Sequence, residues 1–172
     1  MGRASTKENK NIYQRCREEL GLTREKASER LPGLSPERIE KIENERSAPH
    51  PDEVLVMSEG YKAPQLYNYY CANECPIGRQ YVPEVKIKDL SQIVLEMLAS
   101  LNTLRRQQER LVEIARNGTV EDEEVEDFVG IQQELEKISI TVETMQLWTE
   151  QMVAEGKIDG EIYRKYMGQK SE

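Results

Sequence analysis

From Leu90 to Ala115, apolar residues return at alternating steps of four and three: Leu90, Val94, Met97, Leu101, Leu104, Leu111 and Ala115, with Gln108 in the polar slot. A second series runs through Phe128, Ile131, Leu135, Ile138, Val142, Met145 and Met152, with Thr149 in its remaining slot. A seam of this kind, held for about four heptads, belongs to a long helix packed along a partner helix. Each helix of about 27 residues is about 40 Å long. Asn117-Gly118 ends the first, the turn is short, and the two are expected to fold back as an antiparallel hairpin. Ile93, Leu98, Val112, Val129, Ile140, Leu147 and Trp148 lie off the seams. Two helices leave that surface uncovered, so the expectation is a homodimer through residues 89–155. Gly156 stops the second helix, and Asp159 caps a short last one bearing Ile162, Tyr163 and Tyr166.

The first half is punctuated differently. Residues Asn11 to Leu20 carry Ile12, Tyr13, Cys16 and Leu20 at mostly helical steps, and Gly21 ends that helix. Thr23 caps a second helix that Pro32-Gly33 breaks. Ser35 followed by Pro36 is a cap and first-turn proline for a third, whose inward stripe is Ile39 and Ile42. Asp52 is the expected cap of a fourth helix with Val54, Leu55 and Met57, stopped by Gly60. A fifth short segment spans Pro64 to Cys71. Gly78 to Lys88 reads as a connector in which Val82, Val85 and Ile87 form an extended strip lying on one domain. The fold class is all-α: a five-helix domain over 1–77, a connector over 78–88, and a coiled-coil-like hairpin with a short last helix over 89–172.

Composition narrows function. The chain has 172 residues, 33% charged, with a net charge of -8. Residues 1–88 hold 15 Lys and Arg against 14 Asp and Glu, and residues 89–172 hold 9 against 18. Polyanions should avoid the second half. No apolar run approaches the ~20 residues of a membrane span, and the polar start lacks a signal-peptide core, so a cytoplasmic location is expected. One histidine, His50, leaves little for a triad or a multi-His metal site. There is no Gly-rich phosphate loop. Neither an enzyme nor a cofactor is expected. Cys71-x3-Cys75, with Cys16 and His50, has the makeup of a Cys3His zinc set. The alternative, which the lone spacing favours, is small buried hydrophobes beside Tyr69 and Tyr70. The acidic run from Asp122 to Asp127 suits a helix N-terminus, and it lacks the spaced ligands and central glycine of a calcium loop.

Residues 12–57 arrange helix, Gly-Leu-Thr, helix, turn, Ser-capped helix, loop and helix. With Arg17-Glu18-Glu19-Leu20-Gly21-Leu22-Thr23, then Leu31, Ser35, Ile39, Ile42-Glu43, Pro49 and Pro51, the stretch resembles the Cro/repressor-type (XRE-like) helix-turn-helix regulators. The resemblance covers about the first third of the chain and implies double-stranded DNA as partner. It also implies that Arg17 and Glu43 form an ion pair aligning the first and third helices. The chain departs from the pattern at Ala27 and Ser28, in a longer Pro32-Gly33-Leu34 turn, and at Glu45 where a glycine is usual.

Helix geometry then names the readers. With Ile39, Ile42 and Glu43 inward, Glu37, Lys41 and Asn44 face outward, with Arg38 and Glu40 beside them. Lys41 suits guanine O6 or N7, Asn44 an adenine edge, and Glu37 cytosine N4, with Arg38 as a fourth base-reading candidate. Thr23, Arg24 and Ser35 are the expected phosphate contacts, and Arg3, Lys7 and Lys10 a basic arm along the backbone. The third helix is unusually acidic, and +1 over 88 residues gives little phosphate affinity. The competing expectation is therefore an adaptor whose helix-turn-helix binds protein rather than DNA.

Overall fold

The computed structural model describes residues 10–116 and 118–168. They form helices α1 (Ile12–Glu19), α2 (Arg24–Arg30), α3 (Pro36–Glu43), α4 (Pro51–Tyr61) and α5 (Gln65–Tyr69). A π-helical turn over Tyr70–Glu74 leads to α6 (Gly78–Tyr81) and then to α7 (Leu90–Ala115). A 3-10 turn over Asp122–Glu124 precedes α8 (Val125–Ala154), and α9 (Gly160–Tyr166) is last. Among the described residues there is no strand, and the fold is all-α.

The chain divides into two compact units, Met1–Glu84 with Glu150–Glu172, and Val85–Thr149. The last stretch therefore does not belong with the hairpin as expected. In the first unit it lines, with α4 and α5, a groove of about 450 Å³ in which Val153, Ala154 and Tyr163 stand across from Pro64 and Tyr67. Residues 78–81, read as connector, are helix α6, and the unit boundary follows at Glu84.

The core of the first unit gathers Tyr13 and Cys16 from α1, Ala27 from α2, Ile39 and Ile42 from α3, and Val54, Met57 and Tyr61 from α4. Leu31 and Leu34 from the α2–α3 turn complete it with Leu66 of α5. Leu20 and Leu55, expected inside, are exposed. The helix ends follow from capping. Asn11 Oδ1 accepts from the Gln14 N–H at 3.0 Å and starts α1. Gly21, at φ 63°, ends it. Helix α4 starts earlier than the expected Asp52 cap: His50 is the N-cap, its N–H donating to Glu53 Oε2 at 2.7 Å. Gly60 does not stop α4. It lies inside the helix because a Cβ there would meet Leu31 Cδ2 at 2.3 Å, so glycine lets the α2–α3 turn close on α4.

In the second unit, Arg110 on α7 bonds Asp127 on α8 at 2.6 Å, and a Cβ on Gly130 would meet Gln107 at 4.0 Å. Stepping back along α7 steps forward along α8, so the two run antiparallel there. The seam is rotated from the expected one. Met97, Leu104 and Leu111 keep inward places on α7, but their companions are Ile93, Ser100, Gln107 and Ile114, not Val94, Leu101, Gln108 and Ala115. On α8, Ile131, Ile138 and Met145 stay inward beside Glu134, Thr141 and Trp148, while Leu135 and Val142 face out. Thr141 and Thr144 can be buried because each hydroxyl donates to its own helix, to Lys137 O at 2.8 Å and Ile140 O at 2.7 Å.

Candidate nucleic-acid interface

The candidate interface is the outer face of α3 with the start of α2. Its placement depends on one buried charge cluster. Glu43, fully buried at the end of α3, accepts from Arg17 Nε and from Arg17 Nη2 at 2.9 Å. Arg24 Nε donates to the same carboxylate at 2.8 Å. Arg17 also donates to the Leu22 carbonyl. Burial alone would depress the Arg17 pKa, but the Glu43 bonds outweigh it and hold it above its ordinary value. The carboxylate thus pins α1, α2 and α3 at one point. Arg24, expected on phosphate, has its Nε committed here while the side chain stays partly exposed.

Both expected caps form. Thr23 Oγ1 accepts from the Lys26 N–H at 3.3 Å, and Ser35 Oγ from the Arg38 N–H at 3.2 Å. Each helix start is also met by its own carboxylate. The backbone N–H of Glu37 and the Ser35 hydroxyl hold the Glu37 carboxyl below its ordinary pKa, and the Glu25 N–H and Thr23 hydroxyl do the same for Glu25. A phosphate arriving at either N-terminus meets an anion already there.

Arg38 is not placed as a base reader. Its Nε donates to Glu53 Oε1 at 2.6 Å, Nη1 to Ser47 Oγ at 2.8 Å and Nη2 to the Ala48 carbonyl at 2.9 Å. A second bond from Nη2 reaches Glu53 Oε2. The guanidinium laces α3 to the start of α4 and to the loop between them. Lys41 is exposed and has no ion-pair partner among the described residues. Asn44 is the C-cap of α3, and its amide has one long contact, 3.4 Å to Glu40. Lys10 is paired with Glu18 at 2.6 Å. Arg3 and Lys7 lie outside the described residues.

Arg46 was not singled out from the sequence. Its N–H donates to Lys41 O at 2.9 Å and the Glu45 N–H to Ile42 O at 3.0 Å, closing α3 with a Schellman motif. Glu45 takes the left-handed position at φ 57°, where the resembling family has glycine. The turn leaves the Arg46 side chain 69% exposed and 3.8 Å from the Glu40 carboxylate on α3, a loose surface ion pair. The misplaced glycine position was the signal in the sequence that a tight turn sits here.

Cys71 and Cys75 lie near each other, but the three thiols and His50 are not gathered into one set among the described residues. Cys16 is buried, its pKa pushed up to about 11 by desolvation, and its sulfur receives Gln65 Nε2 at 3.6 Å. Cys71 lies in the π-helical turn, and Cys75 Sγ accepts the Gly78 N–H at 3.4 Å. His50 is exposed at the α4 cap. Among the described residues no group of three or more His, Cys, Asp and Glu is placed to hold a metal ion. Nor is any helix among them long and apolar enough to cross a membrane. No family model, curated protein or solved structure matches the chain.

Proposed function

We propose that the chain is a sequence-specific DNA-binding transcriptional regulator, a cytoplasmic repressor acting as a homodimer through residues 89–155. In this proposal α2, the turn Leu31–Ser35 and α3 are a helix-turn-helix of the Cro/repressor type, and α3 enters the major groove. The supporting observation is the Glu43 cluster. It fixes α3 against α1 and α2 by buried charged bonds, while Lys41 and Asn44 stay outward and uncommitted to any strong partner. Lys41 reads guanine, Asn44 reads adenine, and Arg24 and Arg46 follow the backbone. Two such units bind half-sites about one helical turn apart, on a rough palindrome.

A second function, a protein-binding adaptor, is favoured by the carboxylates at the starts of α2 and α3. Residues 24–46 also hold six Lys and Arg against six Asp and Glu, a poor balance for phosphate. Selection from a random duplex library at low salt separates the two. The regulator enriches a palindrome, and Lys41→Ala or Asn44→Ala relaxes the preference by roughly 1–3 kcal/mol at one base pair. Arg38→Ala costs stability and leaves the preferred sequence unchanged. Glu25→Gln tightens binding to all duplexes alike, because it removes the carboxylate at the start of α2. Failure of the folded protein to enrich any sequence overturns the regulator and leaves the adaptor.

A further inference from the structure

In the second unit, rotation of the seam leaves a second apolar face. In an antiparallel pair, the columns flanking the seam on α7 and α8 lie on the same side of the hairpin. Val94 and Leu101 occupy that flank on α7, and Phe128, Leu135 and Val142 occupy it on α8. The register set by Arg110–Asp127 and Gln107–Gly130 puts Val94 level with Val142, Leu101 with Leu135, and Val112 with Val125. These six residues are between 38 and 60% exposed. Over three levels of two helices they form a patch on the order of several hundred Å², comparable with the largest apolar patch of a typical monomer and smaller than the ~800 Å² per partner of a standard interface, whose rim the neighbouring side chains would supply.

Charge decides how a second copy meets this face. Helix α8 carries six Asp and Glu against one Lys, whereas α7 carries three against three Arg. A twofold axis across the helices would stack α8 on the partner's α8, acid on acid. An axis along the helices stacks α7 of each copy on α8 of the other. It also preserves height, so each exposed aliphatic residue of α7 meets its level counterpart on the other copy's α8. Arg105 on α7 and Glu136 on α8 have no ion-pair partner among the described residues. This packing puts them four to five residues, about 6–8 Å, apart in height on facing helices across the interface.

We infer that a second copy of this chain docks on the Val94/Leu101–Leu135/Val142 face, about a twofold axis parallel to α7 and α8, forming a four-helix bundle. Both α7 N-termini then emerge at the same end of the bundle. This deepens the proposed function by specifying the dimer it requires, and it rests on that proposal only for the second copy. A heterologous apolar partner is the competing occupant.

The test uses the full chain with Cys71→Ser and Cys75→Ser. Sedimentation at micromolar concentration is expected to give twice 19.9 kDa. Leu101→Lys and Leu135→Lys are each expected to raise the dimer dissociation constant at least tenfold with unchanged helix content. Arg105→Glu and Glu136→Arg each weaken the dimer several-fold, and together they restore it. Spin labels at Ser91→Cys and, separately, at Glu113→Cys are both expected to give distances under about 30 Å between copies, across the diagonal of a bundle with 8–10 Å axial spacings. An axis across the helices forces at least one of them beyond about 33 Å, since 22 residues of helix separate the sites. A monomer, one long label distance, or no rescue in the charge-swapped pair overturns the inference. A dimer of the expected geometry that enriches no duplex supports the interface and overturns the DNA reader instead.

Discussion

Replacing Glu43 by glutamine tests whether the buried charge cluster sets the first unit's stability. The substitution keeps the volume and one acceptor oxygen but removes the charge that three arginine N–H groups address. Arg24, partly exposed, can turn to water. Arg17 is 6% exposed and cannot, so its guanidinium is left facing a neutral amide. Breaking a buried pair from one side costs about 3–5 kcal/mol. Arg17 keeps the Leu22 carbonyl and a 3.7 Å contact with Glu18, which places the expected loss near the lower end of that range. At about 4–8 °C per kcal/mol for a unit of this size, the melting temperature should fall by roughly 12–24 °C. Far-UV circular dichroism follows the loss, and Trp148 fluorescence reports the second unit separately, since the chain's one tryptophan lies there. Arg17→Met combined with Glu43→Leu removes both charges and should recover most of the stability, because an apolar replacement carries no desolvation penalty. A loss below about 1 kcal/mol for Glu43→Gln, or a double variant less stable than the single one, would refute the reasoning.

Glu45→Gly should raise the urea midpoint, with a gain of about 1 kcal/mol, because Glu45 holds a left-handed φ that glycine takes without strain; an unchanged or lower midpoint contradicts this. Glu74 accepts a bond from the Tyr13 hydroxyl at 3.1 Å, yet burial, helped by Glu45, raises its pKa above the ordinary carboxyl value. The folded protein then binds more protons than the unfolded chain between those two pKa values, so stability falls as pH rises through that window. Glu74→Gln should abolish that fall and stabilise the protein at neutral pH but not below the ordinary carboxyl range. Parallel pH-stability curves for the two proteins would exclude it.

What the sequence determined by itself was local. All seven prolines lie before residue 84, so only the second half can build helices of 26 and 30 residues. Thr23, Ser35 and Asp159 announced their caps because capping is decided within four residues of chain. Ile39, Ile42 and Glu43 share one inward face by helical period alone. Tertiary structure decided the rest. A heptad pattern contains two usable columns beside Met97, Leu104 and Leu111, and only the partner helix selects Ser100 over Leu101. Gly60 reads as a helix stop until Leu31 arrives against it from a distant turn. Arg38 reads as a base contact until Glu53, fifteen residues on, claims its guanidinium. Residues 150–168 group with the first unit, where Val153, Ala154 and Tyr163 line a groove with α4 and α5, surfaces far apart in sequence. Periodicity and caps are short-range properties of the backbone, whereas the choice among equivalent faces and partners is made only by the neighbours that folding brings together.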